Sequence, residues 1–382
     1  MGVHALLSPS SSKQWLNCPP SIRFCEDIAE KDESVYAKEG TLAHTVAETY
    51  LLFYLEKMTK RQFTFKINKL KKEKLFSDEM IEHAKGYANY IIEGYTDTDL
   101  YAFYIENKVD YSTYVPEGFG FVDCISIVND TLKIIDYKYG KGVQVDAYEN
   151  TQLMLYALGA FLELGFLYDI RNVEMSIYQP RLDNISTFKM DINDLLSWAE
   201  NELSVKAKLA YEGAGSFKSG EHCRWCKAKG FCKTRAKQNI DLYENNSKNI
   251  NQLSFNDIGS ILPLLDDVKR WVEDIKAFAL NSLSDGNKID GYKLVEGRSN
   301  RTYSSENDII ETLANVGYKD DEIFEKSILG ISKMEKLLGK KQFNELLSDY
   351  IVKPPGKPTL VPVSDKREEI NTASDDFKDI CI

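Results

Sequence analysis

Gly120-Phe121-Val122-Asp123-Cys124-Ile125-Ser126-Ile127-Val128 runs to a break at Asn129-Asp130 and resumes as Thr131-Leu132-Lys133-Ile134-Ile135-Asp136-Tyr137-Lys138. Two runs rich in Val, Ile and aromatic residues, separated by a two-residue Asn-Asp break, read as an antiparallel hairpin. Such a hairpin can set Asp123 and Asp136 side by side at one end. Both carboxylates interrupt apolar runs, and a buried carboxylate is costly unless a cation or a donor faces it. Residues two apart in a strand share a face, so Asp136 and Lys138 point the same way.

Upstream, Phe103 to Tyr111 reads as a further strand. Downstream, Ala147 to Leu164 reads as a helix with Leu153, Tyr156, Ala157 and Ala160 on its apolar stripe; Val173 to Gln179 and Ile185 to Met190 follow as strands, and Ile192 to Tyr211 as a helix. Near the start, residues 37–57 carry Leu42, Val46, Tyr50 and Leu51 at helical spacing. Residues 60–100 are charged and mostly helical, and are expected as a surface insertion. This order predicts an α/β core with a mixed central sheet flanked by helices. A polar linker, Glu244-Asn245-Asn246-Ser247-Lys248-Asn249, separates a first domain (1–243) from a mostly helical one (250–352) with one hairpin, Tyr292 to Tyr303. Residues 353–382, with Pro354-Pro355-Gly356-Lys357-Pro358, are expected as a flexible tail.

In 382 residues, 43% hydrophobic and 12% aromatic content suffices for a packed core and excludes a disordered chain. No apolar run approaches the ~20 residues that cross a bilayer. Met1-Gly2-Val3-His4 lacks a basic-then-apolar leader, so a cytoplasmic location is expected. A net charge of -11 weighs against a nucleic-acid partner without excluding one, because binding follows local potential. There is no G-x-x-x-x-G-K-[ST] phosphate loop, so any DNA unwinding is expected from a separate protein.

Two carboxylates and one ammonium converging on a point suit hydrolysis of a phosphodiester. The acids hold Mg²⁺ or Mn²⁺, and the lysine orients or deprotonates a water. The plainer alternative makes Asp123 and Asp136 turn residues beside a solvated lysine, since D-x-K alone is a loose motif. His44, on the early turns of the first helix, offers an imidazole that suits Mn²⁺ better than Mg²⁺. Gln152 and Tyr156, four apart, share a helix face. Glu106 on the first strand could approach the same metal, and reads as a structural acid or one that supports the ligands.

The ordered set His44, Gly120-x-x-Asp123, Asp136-x-Lys138 and Gln152-x-x-x-Tyr156 resembles the RecB-like nuclease family of the PD-(D/E)XK superfamily, over roughly residues 8–240. The resemblance implies a restriction-endonuclease-like core and a metal-dependent DNA nuclease, an exonuclease by expectation. It makes His44, Asp123 and Asp136 metal ligands, Lys138 catalytic, and Gln152 and Tyr156 neighbours of the DNA. The whole chain looks like a phage- or prophage-borne branch, acting in replication, recombination or end processing in a bacterial host. A separate helicase, polymerase or single-strand-binding protein is the implied partner. The alternatives are a catalytically inactive DNA-binding or scaffold protein of this fold and a zinc-type nucleic-acid adaptor.

Seven cysteines in a reducing compartment point away from disulfides. Cys223-x-x-Cys226 can place two thiols on one centre, Cys232 follows, and a fourth ligand is needed. Iron–sulfur members of the RecB-like family resemble this spacing, which implies Cys18 as the fourth ligand and a [4Fe–4S] cluster stapling the ends of the domain. Zn²⁺ remains an alternative, as do Cys25 or His222 in place of Cys18. Cys124 reads as a small core residue, and Cys381 has no evident role. Arg224, Lys227, Lys229, Lys233, Arg235 and Lys237 follow one another without an acid, interleaved with Trp225 and Phe231. This strip suits phosphate contacts and base stacking, or a solvated face around a metal knuckle. Arg298 and Arg301 are weaker candidates for the same contacts.

Overall fold

The computed structural model describes residues 5–28, 34–94, 100–246, 255–295, 305–324 and 327–352. The chain divides into two compact units, Met1–Val295 and Glu296–Ile382.

In the first unit, α1 (Ser12–Asn17) and α2 (Ser21–Phe24) lead to α3 (Val35–Tyr54), α4 (Lys60–Leu70) and α5 (Asp78–Glu93). Strands β1 (Leu100–Asp110), β2 (Phe119–Val128) and β3 (Thr131–Tyr137) precede α6 (Thr151–Leu164). Then come β4 (Asn172–Gln179), β5 (Asn184–Asp191), α7 (Ile192–Trp198), a π-helical turn and α8 (Ser204–Glu212). Helices α9 (Lys233–Asn246) and α10 (Phe255–Ser284) complete it.

The sheet runs β1-β2-β3-β4-β5. Only the β3–β4 pair is parallel among these neighbours, and α6 makes the crossover between them. Val128 pairs with Thr131, which leaves Asn129 and Asp130 as a two-residue turn. Asn129 has φ +53°, the left-handed backbone that such tight hairpins need and that asparagine tolerates.

Alternation along the strands divides the core in two. Leu132, Ile134, Val173 and Met175 pack under α6, α7 and α8, whereas Ile135 and Tyr137 pack under α3, α4 and α5. Residues 60–100 therefore differ from the surface insertion expected of them. Ile67, Met80, Ala84, Tyr87, Ala88 and Ile91 are buried in the second cluster. The charges of this stretch occupy the outer faces of α4 and α5, and the apolar positions of α5 recur at helical spacing on the inner face.

Helix α9 continues through Asn246, so Glu244 to Asn246 are helical rather than linker. In the second unit, α11 (Glu306–Val316), α12 (Asp320–Ile323), α13 (Ile331–Leu338) and α14 (Lys340–Leu347) are short helices. Residues 292–295 form no strand. The rest of the expected hairpin, with Arg298 and Arg301, lies outside the described residues, as do the tail from 353 and Cys381.

Candidate metal centre

The hairpin ladder ends at Cys124–Ile135, so Asp123 and Asp136 stand at the next opposed positions. Val122 and Ile125 both belong to the cluster under α6 while Cys124 belongs to the other. The strict alternation thus breaks here, and Asp123 sits at the seam between the two faces. One of its oxygens, Oδ2, accepts from Tyr137 N at 2.6 Å; the other lies 3.2 Å from His44 Nδ1 on α3. Ser34 caps α3 by accepting from Ala37 N, which fixes the helix start two turns before His44.

Asp136 is buried and turns toward α6. Lys138 Nζ lies 2.9 Å from Asp136 Oδ2 and donates to Gln152 Oε1 at 3.2 Å. The ammonium is thus the charge partner of that oxygen, at a poor hydrogen-bond angle. Gln152 Nε2 donates to Asp136 Oδ1 at 3.3 Å and to Tyr156 Oη at 3.0 Å. Asn150 caps α6 by accepting from Gln152 N and Leu153 N, which places Gln152 on the first turn. The Tyr156 ring lies over Gly120, where a Cβ would meet Tyr156 Cε1 at 2.8 Å and Pro9 Cγ at 2.7 Å. The glycine three before Asp123 is a matter of space.

Glu106, read from the sequence as a structural acid that could approach the metal, joins two of the expected ligands, His44 and Asp123. His44, Glu106 and Asp123 each offer a ligand atom, all within 4.8 Å of one another, and among the described residues they form the one such set. Glu106 has φ +49°, an uncommon backbone for a non-glycine residue and one associated with functional sites.

The charges are mutually dependent. Burial pulls the His44 imidazole down, but the Asp123 carboxylate outweighs it and the net shift is upward. Burial pushes Asp123 up, and His44, with the Tyr137 N–H and Lys138, brings it below the ordinary carboxylate value. Burial also pushes Asp136 up; Lys138 opposes this without cancelling it, so Asp136 stays raised. Lys138 is lowered by burial and raised more strongly by Asp136 and Asp123. Burial, followed by the charge of Asp123, lifts Glu106 to about 7. Three acids crowded in this way favour a bound cation.

Cys18, Cys223, Cys226 and Cys232 line one cavity with His222 and Arg235, its empty volume about 340 Å³. Cys25 lies behind it, its Sγ 3.7 Å from Cys226 Sγ. The Cys226 contact is the main cause that brings the Cys25 thiol down to about 6. Burial lowers His222, but contacts from Cys18 and Cys223 carry it up to about 10. No three of these sulfurs meet within 4.8 Å among the described residues. A tetrahedral zinc with Zn–S of ~2.3 Å needs sulfurs about 3.8 Å apart, so the cysteines share a cavity without being arranged as a clear zinc or cluster site.

The basic strip divides. Arg224, Lys227, Lys233 and Lys237 are exposed, and the Arg224 guanidinium lies 5.2 Å from the exposed Trp225 ring. Arg235 is fully buried and bonds Asp274 at 2.6 Å and Asp267 at 3.3 Å on α10; Lys229 lies 3.1 Å from Asp274. Phe231 packs on Phe278. Arg235 and Lys229 thus anchor α10. No helix among the described residues is long and apolar enough to cross a membrane.

Among solved structures, the chain is similar to the crystal structure of SSO0001 at 13% identity, over 58% of this chain and 96% of that one, with a TM-score of 0.21. A family described as "Protein of unknown function (DUF2800)" matches residues 4–368, and the chain belongs to it.

Proposed function

We propose that this protein is a divalent-metal-dependent DNA nuclease with a RecB-like PD-(D/E)XK core. The observation that carries the reading is the Lys138 ammonium set between Asp136 and Gln152, at the strand ends where Asp123 meets His44. The donor set fits a small hard cation: the carboxylates of Glu106 and Asp123 with the His44 imidazole suit Mn²⁺ or Mg²⁺, while Asp136, outside that set, lies against Lys138. His44, Asp123 and Asp136 would hold the ion, with Glu106 as a further ligand.

When bound, the ion would supply Lewis acidity and charge neutralisation at the phosphate. Lys138 would orient an attacking water, with Gln152 fixing the ammonium by accepting one of its hydrogens. Tyr156 and Gln152 position the phosphodiester backbone at the start of α6. Exposed Arg224, Lys227 and Lys233, with Trp225, offer phosphate contacts and a stacking surface for DNA. Cys18, Cys223, Cys226 and Cys232 line one cavity, and the reading assigns them a [4Fe–4S] cluster, although their sulfurs are not arranged as a clear cluster site. The cluster would tie the N-terminal segment to the region after α8.

Digestion of end-labelled linear, circular and single-stranded DNA with Mn²⁺ or Mg²⁺ tests the activity and its polarity together. Metal-dependent cleavage that survives in Lys138→Ala would remove the mechanism. DNA binding that does not weaken between low and high salt would count against the exposed basic residues.

A further inference from the structure

Beside the His44–Glu106–Asp123 set, Ala47, Glu48, Leu51, Tyr87, Ile105 and Tyr137 complete the wall of a small pocket with an empty volume of about 190 Å³, part of it open to solvent. Tyr87 comes from α5, which none of the sequence motifs includes. It is 2% exposed, and its hydroxyl has no hydrogen-bond partner in the protein. Tyr137, 1% exposed, carries a second such hydroxyl; its ring meets Tyr87 at 4.9 Å and the His44 imidazole edge-on at 5.4 Å. A hydroxyl taken out of water without a partner is costly, and native interiors leave few of them. The enclosed part of the pocket is just large enough for about one water, which would have several polar neighbours there.

We propose that Tyr87 is a positioning residue for the metal centre: its hydroxyl holds a water that bridges to the His44–Glu106–Asp123 ligands. The proposal rests on the metal-centre reading above. Groups that hydrogen-bond to metal ligands or to their waters fix the geometry of those ligands and tune affinity. The Tyr87 ring is locked among Tyr137 and Tyr178, so its hydroxyl has a defined position from which to act.

The test uses the full chain and three variants, Tyr87→Phe, Tyr137→Phe and Tyr139→Phe, in Mn²⁺ titration and in metal-free thermal unfolding. Each keeps its ring, so packing is retained. Tyr87→Phe should weaken Mn²⁺ binding about tenfold and lower the metal-free Tm. Tyr139→Phe, whose hydroxyl lies beside Ser77 and outside the pocket, should bind Mn²⁺ as the parent does. A Tyr87→Phe protein with parental Mn²⁺ affinity overturns the positioning role. So does a Tm equal to or above the parent's, the result expected where a phenol had been buried unpaired. The two readings fail separately. Absence of Mn²⁺ binding in the parent removes the metal centre and the positioning role with it; parental affinity in Tyr87→Phe removes only the role of Tyr87.

Discussion

Glu106 on β1 and Asp123 on β2 face each other between the register pairs Ile105–Cys124 and Asn107–Val122, and both carboxylates lie within ligand distance of His44. Burial and the neighbouring Asp123 lift Glu106 to about 7, above its ordinary 4.5. The folded, metal-free protein therefore binds a proton between about pH 4.5 and 7 that the unfolded chain releases. Its stability should fall as pH rises through that window. Glu106→Gln should match the parent near pH 4 and exceed its Tm at pH 8. With Mn²⁺ the sign reverses: protons compete for the carboxylate, so parental affinity should drop as pH falls below 7. Titrations at pH 6, 7 and 8 check this, and equal slopes in parent and Glu106→Gln would remove Glu106 from the ligand set.

Lys138 balances Asp136 in a site where Lys138 keeps 27% of its side chain exposed and Asp136 only 4%. Removing the ammonium leaves Asp136 with Gln152 as its donor. Lys138→Ala should cost roughly 2–3 kcal/mol at pH 7, below the ~3–5 kcal/mol of a fully buried pair because of that exposure. Asp136→Asn in the same background should recover much of it. Both proteins should be inactive as nucleases while still binding DNA. Urea unfolding and a cleavage assay separate the two effects: stability returns in the double variant, and activity does not.

The hairpin was legible because Asn129-Asp130 and the Val/Ile runs on either side fix both the turn and the register that sets Asp123 opposite Asp136. Four-residue spacing put Gln152 and Tyr156 on one helix face, but alone it fitted ordinary core-edge residues; their place beside the acids came only with the family resemblance. Glu106 was legible only as an acid that could approach the metal; the left-handed backbone and opposed strand position that bring it beside His44 and Asp123 leave no mark in a single sequence. The inner role of α5 was hidden for a different reason. Net charge over residues 60–100 says nothing about which face carries Met80, Ala84, Tyr87 and Ile91. Arg235 misled in the opposite direction, since a run of basic residues reads as one surface until a distant acid such as Asp274 is placed against one of them.

Glu174 on β4 joins its two neighbours: Lys189 of β5 at 2.7 Å and Lys133 of β3 at 3.3 Å. Burial pushes its carboxyl up, but the two lysines outweigh burial and the folded value lies below 4.5. The stabilisation is present above the unfolded pKa and is lost as pH falls through the folded one. Glu174→Gln should therefore be less stable than the parent by about 1 kcal/mol at pH 7. The difference should shrink below about pH 4. Equilibrium unfolding at pH 7 and pH 3.5 checks the sign; a gap that persists in acid would assign the loss to packing.

Cys25 stands apart from the four cysteines that line the cavity and that the proposed cluster would use. It approaches Cys226 to 3.7 Å but does not line the cavity that Cys18 shares with Cys223, Cys226 and Cys232. Protein purified without air should be brown. Cys18→Ser and Cys226→Ser should each bleach it and lower its Tm, whereas Cys25→Ser should keep most of its iron. Colour retained in Cys18→Ser and lost in Cys25→Ser would exchange their roles. A colourless parent that contains zinc would replace the cluster with a different centre.

Arg235 ties the cysteine region to α10. Its side chain is fully buried against Asp274 and Asp267, and it also donates to Lys229 O at 3.2 Å. Next to it, a Cβ at Gly230 would meet Phe278 Cβ at 2.7 Å and Asp274 O at 2.8 Å, so the loop and the helix touch with no room between them. Arg235→Ala leaves Asp274 partly buried with only the more exposed Lys229 as its cation, and should cost about 3 kcal/mol. Gly230→Ala should loosen the same contact without altering any charge. Because Arg235 also lines the cysteine cavity, both variants should lose iron faster to a chelator than the parent does, and α10 should become the first site of proteolysis. If Arg235→Ala loses stability while its iron and α10 stay as protected as in the parent, the buried pair serves only its own helix and the coupling to the cysteines is wrong.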